Sequence, residues 1–143
     1  MTPELYNKEI LGLAANMTHL ERLSDPDVTA TKTSRICGSK VTVDLKLKDG
    51  VIVEFAQEPK ACALGQASCA LAAGLMAGET ETSFAKAAEQ MSEMLKENGP
   101  PPEGKWEVFK IFEPARDISS RHASIMLPFD AVMDAFRQAK ENS

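Results

Sequence analysis

Two cysteines stand on either side of a predicted β-hairpin. Cys37 comes directly before a segment of alternating apolar and polar residues, and Cys62 comes directly before an alanine-rich segment of helical character. Because the two strands of a hairpin return the chain to its starting side, we expect Cys37 and Cys62 to lie close together. The positive end of a helix stabilises a thiolate, the form of cysteine that attacks sulfur and ligates metal ions. The pair therefore predicts sulfur or metal chemistry, and burial of both thiols in the core is the alternative.

The other candidate ligands are one cysteine and two histidines. Cys69 follows Cys62 by seven residues, so on one helix it would share a face with Cys62 but lie about 10 Å further along the axis. We therefore interpret Cys69 as a small core residue. His19 falls in a predicted loop and is interpreted as a surface residue, whereas His122 falls in a late loop that could fold over the cysteine pair.

Composition and charge exclude several classes of protein. The 143 residues carry 16 Lys and Arg against 21 Asp and Glu, a net charge of −5, which argues against a nucleic-acid binder. The longest apolar stretch, from Ala61 to Ala77, is interrupted by polar residues and glycines and is too short for a membrane span. The N-terminus lacks the pattern of a secretory signal, so we expect a cytoplasmic protein. Three cysteines, an odd number, favour metal or sulfur chemistry in a reducing compartment.

The first half of the chain predicts one helix and one hairpin. Residues 3–16 carry apolar side chains at helical spacing, and residues 17–36 show no sustained period and predict a loop. Apolar and polar residues then alternate from Val41 to Leu47, Asp49-Gly50 supplies a tight turn, and Val51 to Phe55 continues as a second strand that ends at Pro59.

Helical patterns dominate after the hairpin. The first predicted segment is a helix that follows Cys62 and runs to Ala77, with Gly78 as its stop, and the second is an amphipathic helix capped by Thr82 or Ser83 and closed at Asn98-Gly99. A segment of uncertain type from Trp106 to Phe112, a loop or turn from Glu113 to Ser124, and a last helix from Pro128 to about Lys140 follow in that order. This order predicts a single α+β domain over residues 1–143, a small antiparallel sheet with helices packed on one face.

The order and spacing of several blocks resemble the IscU/SufU/NifU family of iron–sulfur cluster assembly scaffolds. The blocks are Leu5-Tyr6, Asp25-Pro26-Asp27, Cys37-Gly38 before an alternating strand, Asp49-Gly50, Cys62 before a small-residue helix, and Arg121 to Val132 before the last helix. The resemblance runs from about Leu5 to Ala139. It implies a small antiparallel sheet with helices packed on it, which agrees with the α+β pattern obtained from periodicity.

The resemblance also implies a ligand set. In the family three cysteines and an aspartate bind zinc or a nascent cluster, and Cys37 and Cys62 match the first two cysteines. Ser39 stands at the position of the aspartate, and Ser124 stands at the position of the third cysteine. Neutral hydroxyls are weak ligands for zinc and iron, which leaves two strong ligands. Three arrangements remain open: His122 as the third ligand of a metal ion, two protomers that each supply both cysteines to one cluster, or no bound metal.

The function that the resemblance implies is that of a scaffold and not of an enzyme. The thiolates of Cys62 and Cys37 would accept sulfur from a cysteine desulfurase, collect iron, and pass a transient iron–sulfur cluster or the sulfur to an acceptor protein. Zinc is the alternative metal, and a homodimer is one way to complete the site. The alternative function is a non-catalytic interaction or regulatory protein of the assembly machinery, which retains the fold without the chemistry.

Overall fold

The structure is a computed structural model that describes residues 7–35 and 38–141. Cys37 and the predicted start of the first helix, including Leu5 and Tyr6, lie outside the described residues. In chain order the elements are α1 (Lys8–Ala15), β1 (Val28–Thr33), β2 (Lys40–Lys48), β3 (Val51–Lys60), α2 (Ala63–Ala73), α3 (Glu81–Lys96), 3₁₀ turns over Gly104–Asp117 and Ser119–Arg121, and α4 (His122–Glu141). No helix within this described part is long and apolar enough to cross a membrane.

Three antiparallel strands form one sheet in the order β1–β2–β3. The predicted hairpin is confirmed as β2 and β3, and its turn residues Asp49 and Gly50 have φ values of 53° and 80°. Tight hairpin turns of this kind need positive φ at both central residues, which glycine adopts freely and aspartate tolerates. The pairing of the hairpin continues to Lys60, which lies opposite Lys40 and one residue beyond the predicted end of the strand.

The predicted loop over residues 17–36 is wrong, because β1 occupies Val28–Thr33 within it. Val28 and Ala30 are buried, and the residues between and after them are mainly threonines. Two small apolar residues make a weak period-two signal, although β-branched threonine favours extended backbone. β1 pairs with β2 along its whole length, so that the predicted hairpin becomes a three-stranded sheet.

α2 is shorter than the sequence predicts. It begins directly after Cys62, as predicted, but it ends at Ala73 with Gly74 as the C-cap residue. The predicted end at Ala77 with Gly78 as the stop is therefore wrong. Gly78 instead makes a turn at φ 94° after the helix has ended.

The N-cap of α3 is Thr80 and not Thr82 or Ser83. The Thr80 hydroxyl accepts a hydrogen bond from the Ser83 N–H, and the Ser83 hydroxyl accepts one from the Thr80 N–H, which forms a capping box. The predicted apolar face of this helix is confirmed, since Phe84, Ala87, Met91, Met94 and Leu95 are buried.

α4 begins at His122, six residues before the predicted start at Pro128. The predicted loop or turn from Glu113 to Ser124 is confirmed up to Arg121, where the chain forms 3₁₀ turns, and it is wrong for the last three residues, which belong to the first turn of α4. Proline is common at the first position of a helix, and this preference favours the later start. Pro128 lies inside α4, where it has no N–H to donate to the Ser124 carbonyl.

Helices α2 and α4 pack on one face of the sheet, α1 packs on α2, and α3 packs on α4. Val41, Val43 and Leu45 of β2 point into this core and are fully buried. Aromatic side chains join the 3₁₀ turns to α4, with the ring centroids of Phe109 and Phe129 5.0 Å apart. The predicted α+β architecture with helices on one face is confirmed.

A buried carboxylate fastens the segment before β1 to the other face of the sheet. Asp44 on β2 accepts hydrogen bonds from Arg22 Nε at 2.6 Å and Nη2 at 3.0 Å. The Leu23 N–H and the Thr29 hydroxyl donate to the same carboxylate at 3.1 Å and 2.7 Å. Burial alone would raise the pKa of Asp44, but these hydrogen bonds outweigh burial and hold the pKa below its usual range.

Candidate functional site

Cys62 is the N-cap residue of α2. Its backbone is extended, with φ −68° and ψ 172°, and its carbonyl accepts a hydrogen bond from the Gln66 N–H at 2.8 Å. Side chains at this position commonly accept a hydrogen bond from the first turn, but among the described residues the Cys62 side chain accepts none. The half-buried thiol is therefore available for chemistry, beside the N–H groups that form the positive end of the helix dipole.

The loop that carries Cys37 is held against the start of α2. The Ser39 hydroxyl accepts a hydrogen bond from the Cys62 N–H at 3.2 Å. Two backbone hydrogen bonds close the loop, from the Ser34 N–H to the Ser39 carbonyl at 2.7 Å and from the Gly38 N–H to the Ser34 carbonyl at 2.9 Å. Cys37 itself lies outside the described residues, so its proximity to Cys62 stays a prediction, which the Ser39 contact supports.

The first turn of α2 packs closely on the first turn of α4. A methyl group placed on Gly65 would lie 3.4 Å from the Ser124 carbonyl oxygen and 3.7 Å from the Ser124 Cβ. One turn further along, the Ser68 hydroxyl donates to the Ile125 carbonyl at 2.6 Å. Ser124 is fully buried at this contact. Ser39, Cys62 and Ser124, three of the four positions that the family resemblance singles out, therefore lie at one end of the molecule, around the start of α2.

We expect Gly65→Ala to lower the free energy of unfolding by about 1–3 kcal/mol. The added methyl group would lie 2.8 Å from the Ala61 Cβ, which is fixed to the backbone and has no rotamer that avoids the clash. Urea unfolding followed by circular dichroism measures the change.

The matched control for this prediction is Gly12→Ala in α1. Nothing lies within 4 Å of a methyl group at Gly12, so helix propensity alone predicts a gain of up to about 1 kcal/mol. Equal stability of Gly65→Ala and the wild type would contradict the close packing of the first turn of α2.

His122 begins α4 and is 7% exposed. Its Nε2 lies 2.8 Å from the Ala115 carbonyl oxygen, which can only accept, so that Nε2 carries the proton. In the neutral ring the lone pair then lies on Nδ1. Metal-binding histidines are typically oriented by a hydrogen bond of this kind from the second nitrogen. The contact to Ala115 thus makes Nδ1 the ligand atom if His122 binds a metal, and that role stays a prediction.

Cys69 is fully buried in α2. Burial raises the pKa of its thiol to about 12, and negative charge on Cys62 acts in the same direction. A thiol of this pKa stays protonated at neutral pH and is a poor nucleophile. The interpretation of Cys69 as a core residue is confirmed.

The candidate ligands predicted from the sequence, the thiols of Cys37 and Cys62 and the imidazole of His122, would suit a metal that binds sulfur and nitrogen. Within residues 7–35 and 38–141 there is no group of three or more His, Cys, Asp and Glu side chains that could hold a metal ion. A site that includes Cys37 lies beyond that finding. Thiolate and imidazole suit zinc and iron, whereas calcium and magnesium require oxygen ligands.

The roles of Ser39 and Gly65 are not predictable from the sequence. Ser39 is only a weak metal ligand by its chemistry, whereas in the structure its hydroxyl accepts a hydrogen bond from the Cys62 N–H. Gly65 is one small residue among many in an alanine-rich segment, and only the proximity of Ala61 and Ser124 shows that a side chain does not fit there. The abundance of small residues in this segment is the one signal that the sequence offers.

Comparison with known proteins places the chain among iron–sulfur scaffolds, although no family model matches it. It is 24% identical over 135 residues to the iron–sulfur cluster assembly scaffold protein IscU of Thermotoga maritima, covering 94% of each chain. The crystal structure of the N-terminal part of a nitrogen-fixing NifU-like protein from Brucella abortus superposes with a TM-score of 0.95 at 50% identity, over 99% of this chain and 98% of the other.

A further solved structure shares the fold at lower identity. It is a protein of Fervidobacterium islandicum AW-1 described as the SufU scaffold for the SUF system, with a TM-score of 0.86, 17% identity, and coverage of 95% of this chain and 99% of the other. The likeness at 50% identity, by contrast, spans nearly the whole of both chains. The chain belongs to the IscU/SufU/NifU family of iron–sulfur cluster assembly scaffold proteins.

Proposed function

We propose that this chain accepts sulfur and iron at the thiolates of Cys62 and Cys37 and passes a cluster, or the sulfur, to acceptor proteins. The observation that carries the proposal is the position of Cys62, a half-buried N-cap thiol whose N–H is bound by Ser39 of the Cys37 loop. A cysteine desulfurase is the proposed sulfur donor, and the cytoplasm is the proposed compartment. The chain holds its cargo stoichiometrically and is a scaffold, not an enzyme.

Sulfur transfer to Cys62 is an exchange between a thiolate and a persulfide. The Cys62 thiolate attacks the terminal sulfur of a persulfide on the donor cysteine, the Cys62 Sγ–S bond forms, and the donor S–S bond breaks. The donor cysteine leaves as a thiolate, and the proton on the terminal sulfur moves with that sulfur, so no net oxidation occurs. Conversion of this sulfur to sulfide for a cluster takes two electrons from an external reductant such as a dithiol.

The ligand set that we propose is Cys37, Cys62 and His122, with iron of the cluster or zinc as the bound metal. It is supported by the hydrogen bond from His122 Nε2 to Ala115, which leaves Nδ1 as the donor atom. The position of His122 two residues before Ser124 also supports it, because Ser124 packs on the first turn of α2. The Ser39 hydroxyl contributes by holding the Cys62 backbone.

Anaerobic reconstitution tests this ligand set. Protein purified without oxygen is analysed for zinc and iron, and visible absorbance is recorded after ferrous iron and sulfide are added. We expect stoichiometric metal or a sulfur-to-iron charge-transfer band in the wild type, its loss in Cys37→Ala and Cys62→Ala, and a weaker band in His122→Ala. Cys69→Ala is the matched control and retains the band, since Cys69 lies in the core.

The outcomes separate the open alternatives. A band of unchanged intensity in His122→Ala would exclude the imidazole as the third ligand. A wild type that holds no metal and stays colourless after reconstitution would contradict the cluster proposal, and it would favour an interaction protein that retains the fold alone.

A further inference from the structure

Two lysines face each other at the end of the sheet where Cys62 lies. Lys40 directly follows Ser39, and Lys60 precedes Cys62 by two residues. The two residues are paired across β2 and β3, and both are exposed. Like charges directly opposite each other destabilise a strand pair. The Lys40–Lys60 pair therefore destabilises the fold, and fold stability does not explain its presence.

Two arginines extend the positive charge around the same end. Arg35 is exposed in the loop that leads to Cys37, and Arg121 directly precedes His122 at the start of α4. Arg121 lies at this end because the first turn of α4, at Ser124, packs on the first turn of α2. The four residues Arg35, Lys40, Lys60 and Arg121 are termed the cationic rim.

The charge of the cationic rim is not neutralised within the described chain. None of its four members forms an ion pair with a residue in ranges 7–35 and 38–141, whereas Lys32 pairs with Asp134 and Lys105 pairs with Glu79. The acidic residues nearest to Lys60, Lys40 and Arg121 along the chain are Glu58, Asp44 and Asp117. Asp44 forms its ion pair with Arg22, and both Asp44 and Glu58 raise the pKa of Arg22.

The positive charge of the cationic rim contrasts with the negative net charge of the whole chain. The whole chain carries a net charge of −5, yet the four cations of the rim lie at the end of the molecule that carries Cys62. Charge that is unpaired within a molecule and grouped around a site steers partners of opposite charge to that site.

We propose that the cationic rim binds an acidic protein surface around the persulfide-bearing cysteine of the sulfur donor. The inference rests on the proposed function, and it adds the means by which the donor is recognised. A persulfide is itself negatively charged when ionised, so the rim attracts the reacting group as well as the surface that carries it.

A second copy of this chain is a poor occupant of the same face. A symmetric contact there would bring two cationic rims together, and like charges across an interface oppose association. The rim thus argues against the arrangement in which two protomers share one cluster through this end.

The double variant Lys40→Gln/Lys60→Gln tests the role of the rim. We expect the second-order rate constant for persulfide transfer from a cysteine desulfurase to fall about tenfold at low ionic strength, because attraction over this distance accelerates encounter. Added salt should slow transfer to the wild type and have a smaller effect on the variant, since salt screens charges that the variant lacks.

A matched control removes two lysines elsewhere. Lys48 lies at the opposite end of β2, and Lys110 forms only an exposed pair with Glu107 at 3.9 Å. We expect Lys48→Gln/Lys110→Gln to stay within about twofold of the wild-type rate, since exposed charges far from the site contribute little. Alkylation of Cys62 by uncharged iodoacetamide should proceed equally in all three proteins.

The possible results test the docking role of the cationic rim separately from the proposed scaffold function. A wild-type transfer rate in Lys40→Gln/Lys60→Gln would overturn the rim as a docking surface and leave the scaffold function intact. A parallel fall in iodoacetamide reactivity would also overturn it, because the lysines would then act on the structure of the site. No transfer to the wild type itself would overturn the proposed function.

Discussion

Cys62→Ser is expected to slow sulfur acceptance from a cysteine desulfurase by at least about 100-fold, since a serine hydroxyl does not ionise at neutral pH and cannot replace the attacking thiolate. The measurement is the initial rate of labelled sulfur transfer onto the protein under anaerobic conditions. Serine is also one of the preferred N-cap residues, so the variant should fold at least as stably as the wild type.

Because Cys62→Ser should fold stably, a loss of sulfur transfer can be assigned to the missing thiol. A loss of transfer in a protein with an unchanged or raised urea midpoint reports on the thiol and not on unfolding. Transfer to Cys62→Ser at the wild-type rate would show that the N-cap thiol is not the acceptor.

Asp44→Ala is expected to lower the free energy of unfolding by about 3 kcal/mol at pH 7. The substitution removes a carboxylate with a fully buried side chain that accepts four hydrogen bonds, and it leaves the Thr29 hydroxyl and the Leu23 N–H without that acceptor. Urea unfolding of both proteins gives the difference. Asp25→Ala is the control, because the Asp25 side chain is 95% exposed and its pair with Lys46 should be worth less than about 0.5 kcal/mol.

The pH dependence follows from the same carboxylate. The pKa of Asp44 is lower in the folded protein than in the unfolded chain, so the unfolded chain binds the proton more readily. Its contribution is therefore fully present above the unfolded pKa of about 4, and it is lost as the pH falls through the lower folded value. The difference in stability between wild type and Asp44→Ala should shrink below about pH 4. A difference that stays constant down to pH 2 would contradict the ionised, hydrogen-bonded carboxylate.

The hairpin is predictable from the sequence because local signals agree there. Alternation from Val41 to Leu47 fixes one buried face, and Asp49-Gly50 supplies the positive φ values that the turn needs. β1 is not predictable in this way, since its burial depends on pairing with β2 and only Val28 and Ala30 are apolar on its core side. Pairing along the sheet edge supplies the stability that the local sequence of β1 lacks.

The start of α4 shows how a strong local signal misleads. Pro128 has the properties of a first helical residue, but α4 begins at His122. The 3₁₀ turns end at Arg121, directly before this residue, and the first turn of α4 packs on α2. Ser124 thereby enters a buried contact with the first turn of α2. The start of α4 thus coincides with a tertiary contact, which the residues around Pro128 do not indicate.

The candidate site is predictable in its outline and not in its contacts. The position of Cys62 before a small-residue helix gives the N-cap thiol correctly, and the seven-residue spacing separates Cys69 from it. The hydrogen bond from Cys62 to Ser39 joins residues from two elements and is visible only once the sheet is assembled. The same holds for His122, whose contact to Ala115 depends on the path of the 3₁₀ turns.

Peptide mass spectrometry after anaerobic incubation with a cysteine desulfurase and free cysteine tests the central claim most directly. Alkylation of the products preserves any persulfide, and digestion then assigns the added sulfur to individual cysteines. The predicted result is one added sulfur atom on the peptide of Cys62, or on that of Cys37 after onward transfer, with none on the buried Cys69. Added sulfur on neither Cys62 nor Cys37 would contradict a scaffold that works through these two thiolates.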